Sequence, residues 1–404
     1  MIGAIVILHI EPIVNFTVVT QFYSGLSQIV RKNEWTHSGS PAYYNFILKL
    51  DSSKEFSYQL ILLSTSKGDI EIQYFKLKNL RQPVIVVPYY SLFMSCNFLI
   101  IKKIENFYNK IMQYIAVIRL TKSTRYYYID RDNILLVYLI LHIKKARVII
   151  RLLGVTEGFY QYLTTRVNIF SKIIKWVFNH SNVIFICTND GSYAEVIKDQ
   201  YKDKFHLLFN GVDANLKKNP QLGNKLKLVY LSRIAYNKGH EDFINGIARS
   251  NFANKLDVKI IGSGILKDDM KVLSLNSNLN ECINFMGRLD HLVAVDELSK
   301  ADLVISINYD GVYGNVVLEA SSMGIPVVVL EHPGCQTQGL YGLLGLKRGD
   351  RLVGNIAKII RNAVNNEVWL SDIGKNSEQF SLKHLSSWDQ RIESEMLIIK
   401  GFFN

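Results

Sequence analysis

The stretch Asn308-Tyr-Asp-Gly-Val-Tyr-Gly-Asn-Val-Val-Leu-Glu319-Ala-Ser-Ser-Met-Gly324-Ile-Pro326-Val-Val-Val329 holds a whole structural unit. Leu303 to Ile307 is an apolar strand that runs into its glycine-containing loop. A helix follows from near Asn315, with Glu319 on its first turns, and Gly324-Ile-Pro326 stops it and launches the strand Val327 to Leu330. Strand, glycine loop and helix N-terminus together make an anion site, because unpaired backbone N–H groups and the helix dipole point at one spot. A carboxylate one turn inside such a helix suits a ribose diol better than a phosphate. The unit reads as a holder of a nucleoside diphosphate, with Gly314, Asn315 and Val316 at the anion and Glu319 at the ribose.

Upstream, Leu226 to Leu231 is a strand ending in Ser232-Arg233, followed by Lys238-Gly239-His240 and a helical pattern from near Glu241. Arg233 and Lys238 thus flank a strand-to-helix turn, where an anion meets two cations and a helix N-terminus. Two further strands end in glycine: Val258-Lys-Ile-Ile-Gly262-Ser-Gly264 and Ile283-Asn-Phe-Met-Gly287-Arg288-Leu289. Each feature also has a plainer reading. Isolated loop cations are usually solvated, turn glycines need no ligand, Arg288 can cap a strand, and a first-turn carboxylate gains from the dipole alone. Taken in order, they favour phosphate contacts for Arg233 and Lys238 and donor contacts for Gly262, Gly264, Arg288 and Leu289.

The run Asn210-Gly-Val-Asp213, Ser232-Arg233, Lys238-Gly239, Gly262-Ser-Gly264, Phe285-Met-Gly287 and Gly314-Asn-Val-Val-Leu-Glu319, closed by Gly324-Ile-Pro326 and Ser387-Trp388, resembles the donor-binding half of retaining glycosyltransferases of family 4. The resemblance covers roughly residues 205 to 395. It implies an α/β protein of the GT-B fold, with two Rossmann-like domains facing each other across a cleft. It further implies metal-independent transfer with retention, in which Arg233, Lys238 and the Asn315 helix N-terminus stabilise the leaving diphosphate. The family places two acids eight residues apart, and Glu319 matches the second. The position eight earlier is Gly311, so either Asp310 beside it takes the first acid's role at the donor sugar or that role is missing.

The N-terminal half alternates strand candidates (Phe16–Phe22, Tyr58–Leu63, Val84–Val87, Tyr126–Ile129, Arg147–Leu152, Val183–Cys187) with helix candidates (Ala42–Leu50, Leu92–Ile118, Ile134–His142, Asn168–Phe178). Such alternation predicts a doubly wound parallel sheet. The expected organisation is an acceptor-binding domain over residues 1–208, a linker over 209–224, a nucleotide-sugar domain over 225–385 and a C-terminal helix over 386–404 packing back toward the first domain. His37, Gly39 and Thr156 fall on loops expected at the cleft: Gly39 lets the backbone approach the donor, and His37 and Thr156 are acceptor candidates. Asp130-Arg-Asp132 follows a strand as the metal-binding Asp-x-Asp of the other large glycosyltransferase fold does. The preferred reading is an N-cap, Asp132 opening the next helix, and no metal or other cofactor is expected.

At 404 residues with 48% apolar residues the chain suits two folded domains rather than a disordered segment. Cys96, Cys187, Cys282 and Cys335 are scattered without CxxC spacing, which points to a reducing compartment and no structural zinc. The net charge of +12 is uneven: residues 1–204 hold 25 Lys and Arg against 14 Asp and Glu, and the remainder 22 against 21. A basic acceptor half favours an anionic partner, a lipid diphosphate or phospholipid surface, over nucleic acid, for which no binding module appears. Leu92 to Lys122 interleaves aromatic and basic residues, fitting either the sheet or an anionic membrane. No apolar run reaches spanning length and the N-terminus lacks a signal-peptide pattern, so a cytoplasmic or peripheral protein is expected. The function expected is transfer of a sugar from a nucleotide sugar to a lipid-linked or polysaccharide acceptor in surface-polysaccharide synthesis. The rivals are a GT-B nucleotide-sugar epimerase, a metal-dependent enzyme using Asp130 and Asp132, and a non-catalytic nucleotide- or membrane-binding protein.

Overall fold

The β-rich apolar runs build two sheets, and the helices between them cover their faces. The computed structural model describes residues 14–21, 32–35, 41–65, 71–90, 99–129, 131–213, 216–219, 223–335 and 340–404. His37, Gly39, Cys96 and Asp130 therefore lie outside the described residues, as do parts of the expected linker. The described chain forms two compact units. One comprises the residues up to Leu152 with Thr165–Ile186 and Ile392–Asn404; the other comprises Leu153–Thr164 with Cys187–Arg391.

The first sheet holds β1 (Val14–Gln21), β2 (Phe56–Leu63), β3 (Gln73–Phe75), β4 (Val84–Val87), β5 (Arg125–Ile129), β6 (Arg147–Leu152), β7 (Val183–Thr188) and β8 (Phe205–Leu208). Its spatial order is β3-β4-β2-β1-β5-β6-β7-β8. The β1, β2, β4, β5 and β6 pairings are parallel, and only the short edge strand β3 runs antiparallel, against β4. The described helices here are α1 (Pro41–Ser52), α2 (Leu99–Leu120), α3 (Ile134–Lys144), α4 (Glu157–Leu163), α5 (Ile169–Asn179) and α6 (Ala194–Tyr201). Strands β4 and β6 coincide with the sequence expectation. Neither β3, three residues long, nor the short helices α4 and α6 was expected, because such segments carry too few turns to show a period.

The Asp132 cap is corrected. Arg131–Asn133 forms a 3₁₀ turn, the residue at the α3 N-cap is Asn133, and its side chain makes no capping bond. Asn133 Oδ1 instead accepts from the Tyr114 hydroxyl at 3.2 Å, while the main-chain carbonyl of Asp132 accepts from Lys110 Nζ at 2.6 Å.

In the same unit, residues 392–404 of the last helix pack on the sheet. Phe403 meets Phe16 at 5.7 Å between ring centroids, Arg147 lies 4.8 Å over the Phe402 ring, and Arg151 on β6 pairs with Glu395 at 3.3 Å with both side chains 1% exposed.

The second sheet is built from β9 (Leu226–Leu231), β10 (Leu256–Ile261), β11 (Ile283–Gly287), β12 (Leu303–Ser306), β13 (Val327–Leu330) and β14 (Leu344–Leu346). Its order is β11-β10-β9-β12-β13-β14, all parallel. Counted from its own first strand this is 3-2-1-4-5-6, the doubly wound Rossmann order. Its helices are α7 (His240–Ser250), α8 (Lys267–Asn276), α9 (His291–Ser299), α10 (Asn315–Ser322), α11 (Leu352–Asn365) and α12 (Glu367–His384); the last helix, α13 (Trp388–Phe403), carries residues 392–404 on the first sheet. Leu228 and Tyr230 point into one core with Phe243, Ile244 and Ile356, while Val229 and Ile261 point into the other with Leu298, Val317 and Phe380. Burial on both faces explains the continuously apolar Val327–Leu330, while β9 and β10 keep the polar residues Lys227, Asp257 and Lys259.

In such a sheet, chains leave β9 and β12, the central pair, toward opposite sides, which opens a crevice at their carboxyl ends. The loops that follow β9 and β12 are the ones that carry Arg233, Lys238 and Asp310.

Candidate functional site

Tyr230, the penultimate residue of β9, fixes the geometry of that crevice. Its buried hydroxyl donates toward the Lys238 carbonyl at 2.5 Å and the Ile307 carbonyl at 3.2 Å, tying the loop after β9 to the end of β12. Gly239 takes φ +53°, and a Cβ there would lie 2.2 Å from Ile307 Cγ2, so no other residue lets these loops approach. Lys238 Nζ then donates to Asn308 Oδ1 at 2.7 Å. Burial, with the Arg233 charge behind it, lowers the Lys238 pKa, while Asp310 and Asp190 act against that shift. His240, the first residue of α7, is pushed down to about 4 by burial and then by Lys238, so it is neutral beside the Ser232 hydroxyl at 3.3 Å.

The two glycines of Gly262-Ser263-Gly264 are close-packing residues. Gly262 has φ +143° and a Cβ would sit 1.9 Å from the Ser232 carbonyl; at Gly264 it would sit 2.1 Å from the Ile234 carbonyl. Their absence of side chains lets the two loops bond, Ser232 N–H to Ile261 O and Ile234 N–H to Ser263 O, both at 3.0 Å. Beside them opens a pocket of about 350 Å³ lined by Ser232, Arg233, Gly262, Ser263, Arg288, Leu289 and Ala294 among others. Four residues predicted for the donor or its phosphates, Arg233, Gly262, Arg288 and Leu289, share that pocket.

Helix α10 begins at the end of the loop after β12. Gly314 is its N-cap, with extended backbone and no side-chain cap, and a Cβ there would meet nothing within 4 Å. The amides at the start of such a helix lack intrahelical acceptors. Asn315 Oδ1 accepts from Asn210 Nδ2 at 2.9 Å, which docks the Asn210-Gly-Val-Asp213 segment on the helix start. Glu319, 12% exposed, lies 3.9 Å from His291 Nε2, which bonds Asp213 Oδ2 at 3.0 Å. Burial raises the Glu319 carboxyl to about 7, with His291 lowering it and Asp213 raising it further. His291 and Ala294 are three residues apart on α9, so one helix face reaches Glu319 and lines the pocket.

Asp310 is exposed and accepts from the Asn237 side-chain amide, while its own N–H donates to Asn308 Oδ1 at 3.2 Å. At Gly311, a Cβ would fall 2.7 Å from the Asp190 carbonyl and 3.3 Å from that residue's carboxylate. An acid at position 311 is thus sterically barred. Thr156 is exposed at the N-cap of α4 on the loop after β6. His37 and Gly39 are outside the described residues.

Sequence reasoning missed several groups near the loops. Asp190, in the turn after β7, touches Gly311. His332 is held near 4 by burial and then by Arg348, and Arg348 Nη2 donates to the Tyr309 carbonyl at 2.7 Å. The signal for Asp190 was present: Asn189-Asp190-Gly191-Ser192 is another turn between a buried strand and a helix. Nothing local marks His332 or Arg348, which reach the site only through tertiary packing.

Residues 211–380 match the family model for glycosyl transferases group 1. The match falls on the unit built around β9 to β14. It contains every group described around β9, β12 and α10 except Asn210 and Asp190. A glycogen synthase from Mycobacterium tuberculosis is 24% identical over 198 residues, 47% of each chain. An uncharacterized glycosyltransferase of Methanocaldococcus jannaschii is 22% identical over 205 residues, again 47% of each. The chain spans about half the length of the curated relatives it matches. Among solved structures, a sucrose-phosphate synthase from Thermosynechococcus elongatus superimposes with a TM-score of 0.68 at 13% identity, covering 96% of this chain and 99% of that one. HepE of Anabaena, solved with UDP, gives 0.67 at 14% identity with 96% and 99% covered. The fold around the matched segment is GT-B, with two Rossmann-like domains.

Proposed function

We propose that this protein is a glycosyltransferase of the retaining family 4 type, taking a nucleoside-diphosphate sugar as donor and a lipid-linked or polysaccharide glycan as acceptor in cell-surface polysaccharide synthesis. The observation that carries the reading is the convergence at one switch point of Arg233, Lys238, the Gly262–Gly264 turn, the uncapped α10 N-terminus and the part-buried Glu319. Two cations and a helix dipole stabilise the charge on a departing diphosphate, as a divalent cation would elsewhere. Glu319 holds the ribose hydroxyls, and the pocket beside Arg288 and Leu289 takes the base. The UDP complex of HepE supports a nucleotide in a fold of this kind.

The lipid side of the proposal draws on α2. Its early turns expose Lys102, Lys103, Ile104 and Phe107 while burying Glu105 and Asn109. Apolar residues beside lysines on an outer face suit an anionic bilayer surface and bring a peripheral protein to a lipid-linked acceptor. Among the described residues no helix is long and apolar enough to cross a membrane.

The test is nucleotide release from a panel of UDP-, GDP- and other nucleotide sugars, with and without EDTA. Turnover of one donor that survives EDTA and is lost in Arg233→Ala/Lys238→Ala is the expected result. Turnover that needs metal and ignores both residues refutes the mechanism.

A further inference from the structure

The carboxyl of Asp190 is placed in a way its structural duties do not explain. Those duties fall on other atoms: Oδ1 accepts the Ser192 hydroxyl at 2.5 Å and the Ser192 N–H at 3.1 Å, forming the turn into α6. The main-chain carbonyl takes the N–H groups of Val312 at 2.6 Å and Tyr313 at 2.9 Å, clamping the loop that leads to the α10 N-terminus. Oδ2 receives no hydrogen bond from any other described residue. Yet the chain keeps two glycines clear for it. A Cβ at Gly154 would lie 1.9 Å from Oδ2, and one at Gly311 would lie 3.3 Å from it. That oxygen is left able to accept a hydrogen bond from a ligand at the loops it faces.

The ionisable groups facing it are Asp310 and Lys238 on the site loops and Cys335 behind them. Asp190 therefore sits against the Asp310–Gly314 loop that leads into the α10 N-terminus. It fills the space that a side chain at Gly311 would have used.

We propose that Asp190 is a specificity-determining residue for the transferred sugar: its Oδ2 accepts a hydrogen bond from a hydroxyl of the glycosyl group. This rests on the nucleotide-sugar reading above. Asp310, bonded to Asn237, is then the rim of the site and Asp190 the inner acid, supplied from a different loop. Burial raises the Asp190 carboxyl to about 6, with the Ser192 bonds lowering it and Asp310 raising it. The acceptor form therefore dominates above pH 6 and is lost below it.

The test compares affinities for UDP with UDP-glucose and for GDP with GDP-mannose, by calorimetry, in the wild type and Asp190→Asn. Asparagine keeps the Oδ1 acceptor of the turn and replaces Oδ2 by a donor. The expected result is unchanged nucleotide affinity with the sugar nucleotide weakened on the order of tenfold relative to it. The wild-type ratio should move the same way as pH falls through 6, and the variant's ratio should be flat. A ratio unchanged by the substitution overturns the proposal. So does a parallel loss for nucleotide and sugar nucleotide, which marks a structural role. If the wild type binds no nucleotide of either kind, the underlying reading of the site fails and this one with it.

Discussion

At the scale of single residues the glycines separate two kinds of requirement. Gly262 is needed by the fold, since its φ and its contact with Ser232 leave no room for a methyl group. Gly262→Ala should cost about 2–3 kcal/mol in chemical denaturation. Gly314 has ordinary backbone and open space. Gly314→Ala should leave stability within about 0.5 kcal/mol while weakening nucleotide binding, because its methyl enters the space before the helix amides. Equal effects of the two on stability would contradict the assignment. Glu319 adds a pH signature. Its folded pKa of about 7 lies above the ordinary 4.5, so the folded protein binds the extra proton between them. The stability this contributes is fully present below about 4.5 and lost as pH rises through about 7. Ribose binding needs the ionised form and should strengthen over the same rise. Glu319→Gln should flatten both profiles, read by thermal melts and nucleotide titrations.

The residues proposed for the donor stand out in the sequence for a physical reason: a parallel strand, a glycine turn and a helix start are contiguous, so each motif carries its own geometry. For Asp190 the sequence offers only a turn after a strand; what singles it out is the space left at Gly154 and Gly311, far away in the chain. Position 311 shows the same limit. Its sequence left open whether Asp310 or nothing replaced an acid there, and only packing reveals that the site is already occupied by Asp190.

Elements were read well where both faces are buried and poorly where they are short. The runs Val84–Val87 and Leu226–Leu231 matched their strands to the residue. By contrast β3 and α4, three and seven residues long, lie below the length at which a period shows. Residues 392–404 of α13 are held in the first unit by an ion pair that hydropathy cannot see. Arg151 Nη1 also donates to the Leu152 carbonyl at 2.5 Å, so the guanidinium is fixed inside the sheet's core. Glu395→Ala leaves that charge without its carboxylate and should destabilise the unit by about 3–5 kcal/mol, whereas Lys49→Ala, at the exposed pair with Glu393, should change little. Comparable losses in urea unfolding would show the burial of the Arg151 pair to be immaterial. On α2, Ile104→Ser/Phe107→Ser should leave stability near wild type and reduce co-sedimentation with anionic vesicles severalfold.

For the whole molecule, charge and fold divide the work. The basic surplus lies in residues 1–204, while the anion-binding switch point lies in a near-neutral half. In the proposed site two placed cations and a helix end, not a broad field, hold the donor, so donor binding should change little with salt. Vesicle association through the basic half should weaken steeply between about 0.1 and 0.5 M salt. The central claim is that the crevice between β9 and β12 holds a nucleoside diphosphate. Calorimetric titration of UDP and GDP into the wild type and into Arg233→Ala/Lys238→Ala tests it most directly. The account predicts one saturable site whose affinity falls about a hundredfold in the double variant. Equal affinity in both proteins would place the nucleotide elsewhere and contradict the account.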